Sequence, residues 1–232
     1  MDPHMDIHHA SKLQQQSDAD AGAPNSEATP LRDVFAPDHV ETIASDEQFR
    51  GPIFTIRDDE IQFVSGQRAR RQYMIHDDAA AIVPIRPGER GYEVLLIRQY
   101  RHAPRRVFWE IPAGLCDDPE ETALQAAQRE LAEETSMQAE RWFPLVSFFS
   151  SPGVSDENLD VFLALDVTHI DSPIDFQREA EEGEIEARWF GLTEVYDAVS
   201  RGELRSPTLV LGIMAAYIHS STDFTDLPLC GA

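Results

Sequence analysis

Hydrophobic and polar positions change their rhythm several times along the chain. From Phe49 onward, short apolar runs alternate with turn residues: IFTIR at 53–57, EIQFV at 60–64, RQYMIH at 71–76, AAAIVPI at 79–85 and YEVLLIRQYR at 92–101. Runs of this length, rich in Ile, Val, Phe and Tyr, predict strands, and RPGERG at 86–91 predicts the turn between the last two. The rhythm then shifts to a helical one over 119–135, where Leu124, Ala127 and Leu131 fall on one side. FPLVSFFS at 143–150, the loop SPGVSDEN at 151–158 and LDVFLALDV at 159–167 predict strand, loop and strand. After an acidic stretch, IEARWFGL at 185–192 leads into helices over 193–202 and 206–220. Thr193 is the expected cap of the first and Gly202 its stop, while Ser206 and Pro207 form the expected cap and first-turn proline of the second. Strands with helices on both sides predict an α/β layered domain.

Residues 1 to about 40 are rich in Ser, Asp, Ala, Gln, His and Pro. Such a composition buries too little surface to offset chain entropy, so a disordered arm is expected there. The chain is expected to divide into an arm at 1–40, a strand-rich N-terminal dimerisation region at 41–75, a main domain at 76–220 and a C-terminal tail at 221–232. Length supports one sizeable domain rather than two.

Charge narrows the partners. With 42 acidic and 19 basic residues the formal charge is -23, which opposes binding to nucleic acid or to an anionic membrane. Cys116 and Cys230 are too few for a disulfide framework and lack zinc spacing, which fits a reducing, cytoplasmic setting. No run of about 18 apolar residues and no leader-like start is present.

The helix carries the candidate chemistry. Asp118-Pro119-Glu120-Glu121 reads as a helix start, with Asp118 as cap, Pro119 in the first helical position and Glu121 closing a capping box. Glu130, Glu133 and Glu134 lie at i, i+3 and i+4 and crowd one side. Like charges at these spacings repel by a few tenths of a kcal/mol (~0.2–0.5) per pair. They are either a solvated acidic face with Arg129 paired to Glu133, or oxygen ligands for a hard cation such as Mg²⁺ or Mn²⁺.

Gly114, Glu121, Arg129, Glu130, Leu131, Glu133 and Glu134 together resemble the signature of the Nudix hydrolases. Two departures stand out: six residues rather than five separate Gly114 from Glu121, and Ser136 occupies the position of the signature's last glycine. If that position needs a left-handed backbone, serine carries strain. IRQYRHAPRRVFWEIPAG at 97–114 and Pro152, fifteen residues beyond Met137, resemble the ADP-ribose pyrophosphatase subfamily, and the resemblance runs over roughly 49–217.

The resemblance implies a Nudix fold, an α/β/α sandwich with a mixed β-sheet and an N-terminal strand region exchanged across a homodimer. It implies Mg²⁺-dependent hydrolysis of ADP-ribose, with Mn²⁺ possible. Metal ligands would be Glu130, Glu134, Glu133 and the carbonyl of Ala113, with Arg129 holding a carboxylate in place. The base would come from the acidic loop at 179–189, Glu181 first, then Glu182 and Glu184. Arg101, Glu110, Ser151 and Glu157 would contact substrate. Another nucleoside diphosphate derivative, such as a nucleotide sugar or dinucleotide, and a non-catalytic ADP-ribose-binding module remain as alternatives.

Overall fold

The computed structural model describes residues 31–171 and 185–231. The described residues before Val40 and those from Val40 onward belong to two separate units. Within the described part of the first, Pro37–His39 makes a single 3-10 turn.

The second unit opens with a three-stranded antiparallel sheet, β1 (Val40–Arg50), β2 (Phe54–Phe63) and β3 (Arg68–His76), in that order. The two expected runs IFTIR and EIQFV are one strand, β2: Arg57, Asp58 and Asp59 continue the ladder, and Asp58 and Asp59 are buried. Their burial is compensated, since Arg70 and Gln72 bond Asp58 while Tyr73 and Ser45 bond Asp59. β1 went unread in the sequence because VETIASDEQFR has no apolar alternation, and it is solvent-exposed along nearly all its length. Its ladder with β2 over Val40–Arg50 holds it instead.

Among the described residues the main sheet has seven strands. They are β4 (Ala79–Gly88), β5 (Gly91–Arg101), β6 (Arg106–Glu110), β7 (Ala113–Leu115), β9 (Arg141–Phe149), β10 (Asn158–Leu165) and β12 (Glu186–Gly191). The order is β12-β5-β4-β10-β9, with β6 on β5 and β7 on β4. Among the described residues β4 and β10 pair in parallel and the other neighbours antiparallel, so the sheet is mixed. A small separate pair joins β8 (Met137–Gln138) to β11 (Thr168–His169).

β4 is buried from Ala79 to Ile85, the burial expected of a central strand covered on both faces. On one face Ala80, Ile82, Phe162 and Ala164 pack against Ala126, Ala127 and Leu131 of helix α1 (Ala123–Thr135). On the other, Ala81, Val83 and Leu163 pack against α2 (Leu192–Ser200) and α3 (Pro207–Ser220). The main sheet therefore lies between helices, the α/β/α layering expected of a Nudix fold.

Helix boundaries differ from expectation in two places. α1 starts at Ala123, not Pro119: Thr122 is the cap and Gln125 completes the capping box, with Thr122 N–H donating to Gln125 Oε1 at 2.9 Å. Asp118 serves an earlier turn, accepting from Glu120 N–H at 2.9 Å. α2 begins at Leu192, so Thr193 lies inside its first turn rather than capping it. Gly202 does end that helix, at φ +71°, and Ser206 with Pro207 does open α3.

Candidate active site

The site grows from the meeting of α1 with the ends of β5, β6 and β7. Cross-strand pairs Ile97 with Glu110, Gln99 with Phe108 and Arg101 with Arg106 put these side chains on one face of the β5–β6 ladder. Glu110 is 9 % exposed and gathers three hydrogen bonds: from Gln99 at 2.9 Å and from Arg101 Nε and Nη2 at 3.0 and 2.8 Å. Gln99 was not singled out in the sequence, although its place between Ile97 and Arg101 in the strand alternation marks it.

Arg129 organises the acidic face of α1. It donates to Glu121 at 3.0 Å, Glu130 at 2.5 Å, Glu133 at 3.2 Å and the carbonyl of Leu115 at 3.2 Å. These partners raise the guanidinium's already high pKa, Glu121 foremost. The signature glutamate Glu121 sits at Arg129, while its neighbour Glu120 stays in the exposed turn. The pairing of Arg129 with Glu133 is therefore one contact within a cluster.

Glu134 accepts from the Ala113 N–H at 3.0 Å, which ties the helix to the start of β7. Burial pushes the Glu134 carboxyl up to about 8; the Ala113 N–H opposes this, the charges of Glu130 and Glu110 add to it, and Arg101 opposes it. A positive charge beside this carboxyl would reverse that cost.

Gly114 bears the closest approach. A Cβ there would lie 2.0 Å from both Cδ and Oε1 of Glu130. The space of one methyl group is thus taken by a carboxylate, which explains a glycine at a position that has no positive φ.

Among the described residues, no three His, Cys, Asp or Glu groups converge closely enough to enclose a metal ion. The acidic oxygens are turned instead toward Arg129 and Ala113. In kind the donors suit a hard divalent cation: three helical carboxylates on one face, a fourth at Glu110, and a glycine cleared for the first of them.

Other expected site residues lie elsewhere or outside the description. Glu157 is bonded by Ser150 Oγ and stands 3.7 Å from His76 Nδ1. Ser151 is exposed, and its carbonyl accepts from Val154 and Ser155 N–H in the loop after β9. That loop meets β3 through Met74 N–H to the Val154 carbonyl at 2.8 Å. Glu181, Glu182 and Glu184 lie outside the described residues. The tryptophans do structural work: Trp142 is core, Trp109 packs edge-on to Phe190, and Trp189 lies under Arg86. Burial and the nearby carboxylates of Asp78, Asp160 and Glu121 push the Cys116 thiol up to about 11.

A mixed sheet between helices, with an arginine-braced row of glutamates facing a glycine, defines the class of Nudix-type hydrolases. The NUDIX domain matches residues 75–209, and the chain belongs to that family. Similar proteins include the ADP-ribose pyrophosphatase of Mycobacterium tuberculosis, 33 % identical over 177 residues, 76 % of this chain and 83 % of the relative. The ADP-ribose pyrophosphatase of Bacillus subtilis is 31 % identical over 147 residues, 62 % of this chain and 74 % of its own. A crystal structure of an ADP compounds hydrolase superposes with a TM-score of 0.68 at 20 % identity, covering 82 % of this chain and 98 % of that one. That likeness is one of fold.

Proposed function

We propose that this Nudix hydrolase cleaves the pyrophosphate bond of ADP-ribose with Mg²⁺, giving AMP and ribose 5-phosphate. The observation that carries the reading is Gly114 cleared for the Glu130 carboxylate, beside Glu134 held on the Ala113 N–H. The relatives named as ADP-ribose pyrophosphatases support the substrate, and divalent metal use is general to the family.

When bound, Mg²⁺ supplies positive charge that offsets the repulsion between a pyrophosphate and an incoming hydroxide, and Mn²⁺ can do the same. Glu130, Glu133, Glu134 and the Ala113 carbonyl are assigned to hold it. Arg129 keeps Glu130 and Glu133 oriented. Arg101 uses Nε and Nη2 on Glu110, which leaves Nη1 for a phosphate oxygen. Glu110, Ser151 and Glu157 are assigned to the substrate's remaining polar groups. Proton removal from the attacking water is assigned to Glu181, with Glu182 and Glu184 as the alternatives.

The setting is the cytoplasm and the assembly a homodimer built on the N-terminal sheet. Exposed Ile43, Phe49 and Phe54 on that sheet support the latter. Among the described residues no helix is long and apolar enough to cross a membrane.

A second reading, another nucleotide derivative, is favoured by one similar protein, a CMP-5'-(N-acetyl-N-hydroxy-3-aminopropyl)phosphonate hydrolase of Streptomyces rubellomurinus, 25 % identical over 75 % of this chain. Product analysis across ADP-ribose, GDP-mannose and dinucleotides decides between them; cleavage of the others without ADP-ribose would refute our choice. Glu134→Gln is expected to abolish turnover, and wild-type activity in that variant would remove the metal assignment.

A further inference from the structure

A groove of about 540 Å³ lies between β6 and the turn that joins α2 to α3. Arg106, Phe108 and Trp109 border it from the strand, and Arg201, Glu203 and Arg205 from the turn. Three guanidiniums against one carboxylate leave a local charge of +2 (3 − 1), in a chain whose formal charge is -23. A surplus of this sign runs against the average of the molecule and creates a local field for anions.

The internal bonds of these arginines leave donors over. Arg201 uses Nε and Nη2 on Glu203 at 2.8 and 2.9 Å. Among the described residues Arg205 uses only Nε, on the Gly202 carbonyl at 3.1 Å. The Arg106 side chain has no hydrogen bond or ion pair with any described residue. Four consecutive residues of β6, Arg106 to Trp109, line the groove, as expected where a strand's open edge rather than one face forms the wall. β6 has β5 as its sole strand neighbour among the described residues, so alternate backbone N–H groups on the far edge add donors along the same wall.

We infer that this groove is a second anion site, taking a small phosphate-bearing anion. Guanidinium forks match phosphate oxygens two at a time and keep their charge at any physiological pH. The volume is that of a small-ligand cleft. The groove is distinct from the acidic face of α1: none of Glu130, Glu133 and Glu134 lines it, nor do Arg101 of β5 and Glu110 of β6, which pair with each other.

The test is isothermal titration calorimetry of the full chain in excess EDTA, with inorganic phosphate, pyrophosphate and AMP as probes. An Arg101→Gln background removes the phosphate-binding arginine proposed for the active site. The expected result is one binding event per chain, weakened at least tenfold by Arg106→Gln and by the pair Arg201→Gln with Arg205→Gln, and partly recovered by Arg106→Lys. Tighter binding of pyrophosphate than AMP identifies a free phosphate ligand; the reverse order identifies a nucleotide whose base uses Phe108. No binding in the Arg101→Gln background, or equal binding in arginine variants with unchanged circular dichroism, overturns the inference. Hydrolysis of ADP-ribose is assayed separately with Mg²⁺, so an inactive wild type would count against the substrate and leave the groove's result standing.

Discussion

Gly114 shows how one absent atom can govern a site. Its backbone is within reach of any residue, yet a methyl group would fall 2.0 Å from the Glu130 carboxylate. Gly114→Ala must therefore move Glu130 or the strand β7. A displacement of about 1 Å in a catalytic array commonly costs on the order of a hundredfold in rate. We expect kcat on ADP-ribose to fall by at least that factor while circular dichroism stays native; an active, folded alanine variant would show that Glu130 is not needed where it stands. Cys116, two residues on, is expected to be chemically quiet. With its thiol pushed up to about 11 from 9.0, the thiolate fraction at pH 8 drops roughly a hundredfold, and iodoacetamide should label it that much more slowly than the unfolded chain. The sign follows from linkage: the folded chain holds this proton longer, so its contribution to stability is complete below about pH 9 and is lost as pH rises toward 11. Labelling of Cys116 at the free-thiol rate, read by mass spectrometry, would contradict the burial.

At the scale of elements, α1 was legible in phase but not in its first turn. Leu124, Ala127 and Leu131 do pack on the core, since a helical period survives any small error in where the helix begins. Asp118-Pro119-Glu120-Glu121 spells a start, but Glu121 folds back to Arg129, eight residues on, and the chain remains unwound until Thr122. A side-chain contact over that separation has no local signature. The other end was legible: Ser136 stands at φ 56°, ψ 34°, the left-handed conformation that the signature's glycine serves. The two ends predict opposite effects. Thr122→Ala should cost about 1 kcal/mol by removing the cap, and Ser136→Gly should gain up to about 1 kcal/mol by relieving the left-handed backbone, less the entropy that glycine adds to the unfolded chain. In thermal unfolding these are shifts of roughly 2–4 °C in either direction. A lower Tm for Ser136→Gly would mean that the serine is held by more than its backbone.

The molecule as a whole was legible where burial was two-sided and obscure where it was not. AAAIVPI reads as a strand and is one, buried along its whole run, whereas β1 is made of residues that no local rule places in a sheet, and it exists through its ladder to β2. The same contrast applies to charge. Even if every basic residue took one acidic partner, 42 − 19 = 23 carboxylates would lack one. Among the described residues Arg129 alone pairs with four carboxylates, Asp117, Glu121, Glu130 and Glu133, so the few cations are shared unevenly among the excess acids. Self-repulsion among these charges opposes the compact state, and it acts over a Debye length of about 30 Å at 0.01 M salt but only about 3 Å at 1 M. Exposed ion pairs are weakened by the same screening, but each contributes at most about 1 kcal/mol and many contribute nothing. Repulsion among 23 unmatched charges should therefore win, and stability should rise with salt. Raising KCl from about 0.01 M to about 1 M in metal-free buffer is expected to lift Tm by several degrees, roughly 1–2 kcal/mol at this size. A Tm that falls across that range would mean that the arginine-centred pairs, rather than the excess of carboxylates, dominate the electrostatics of the fold.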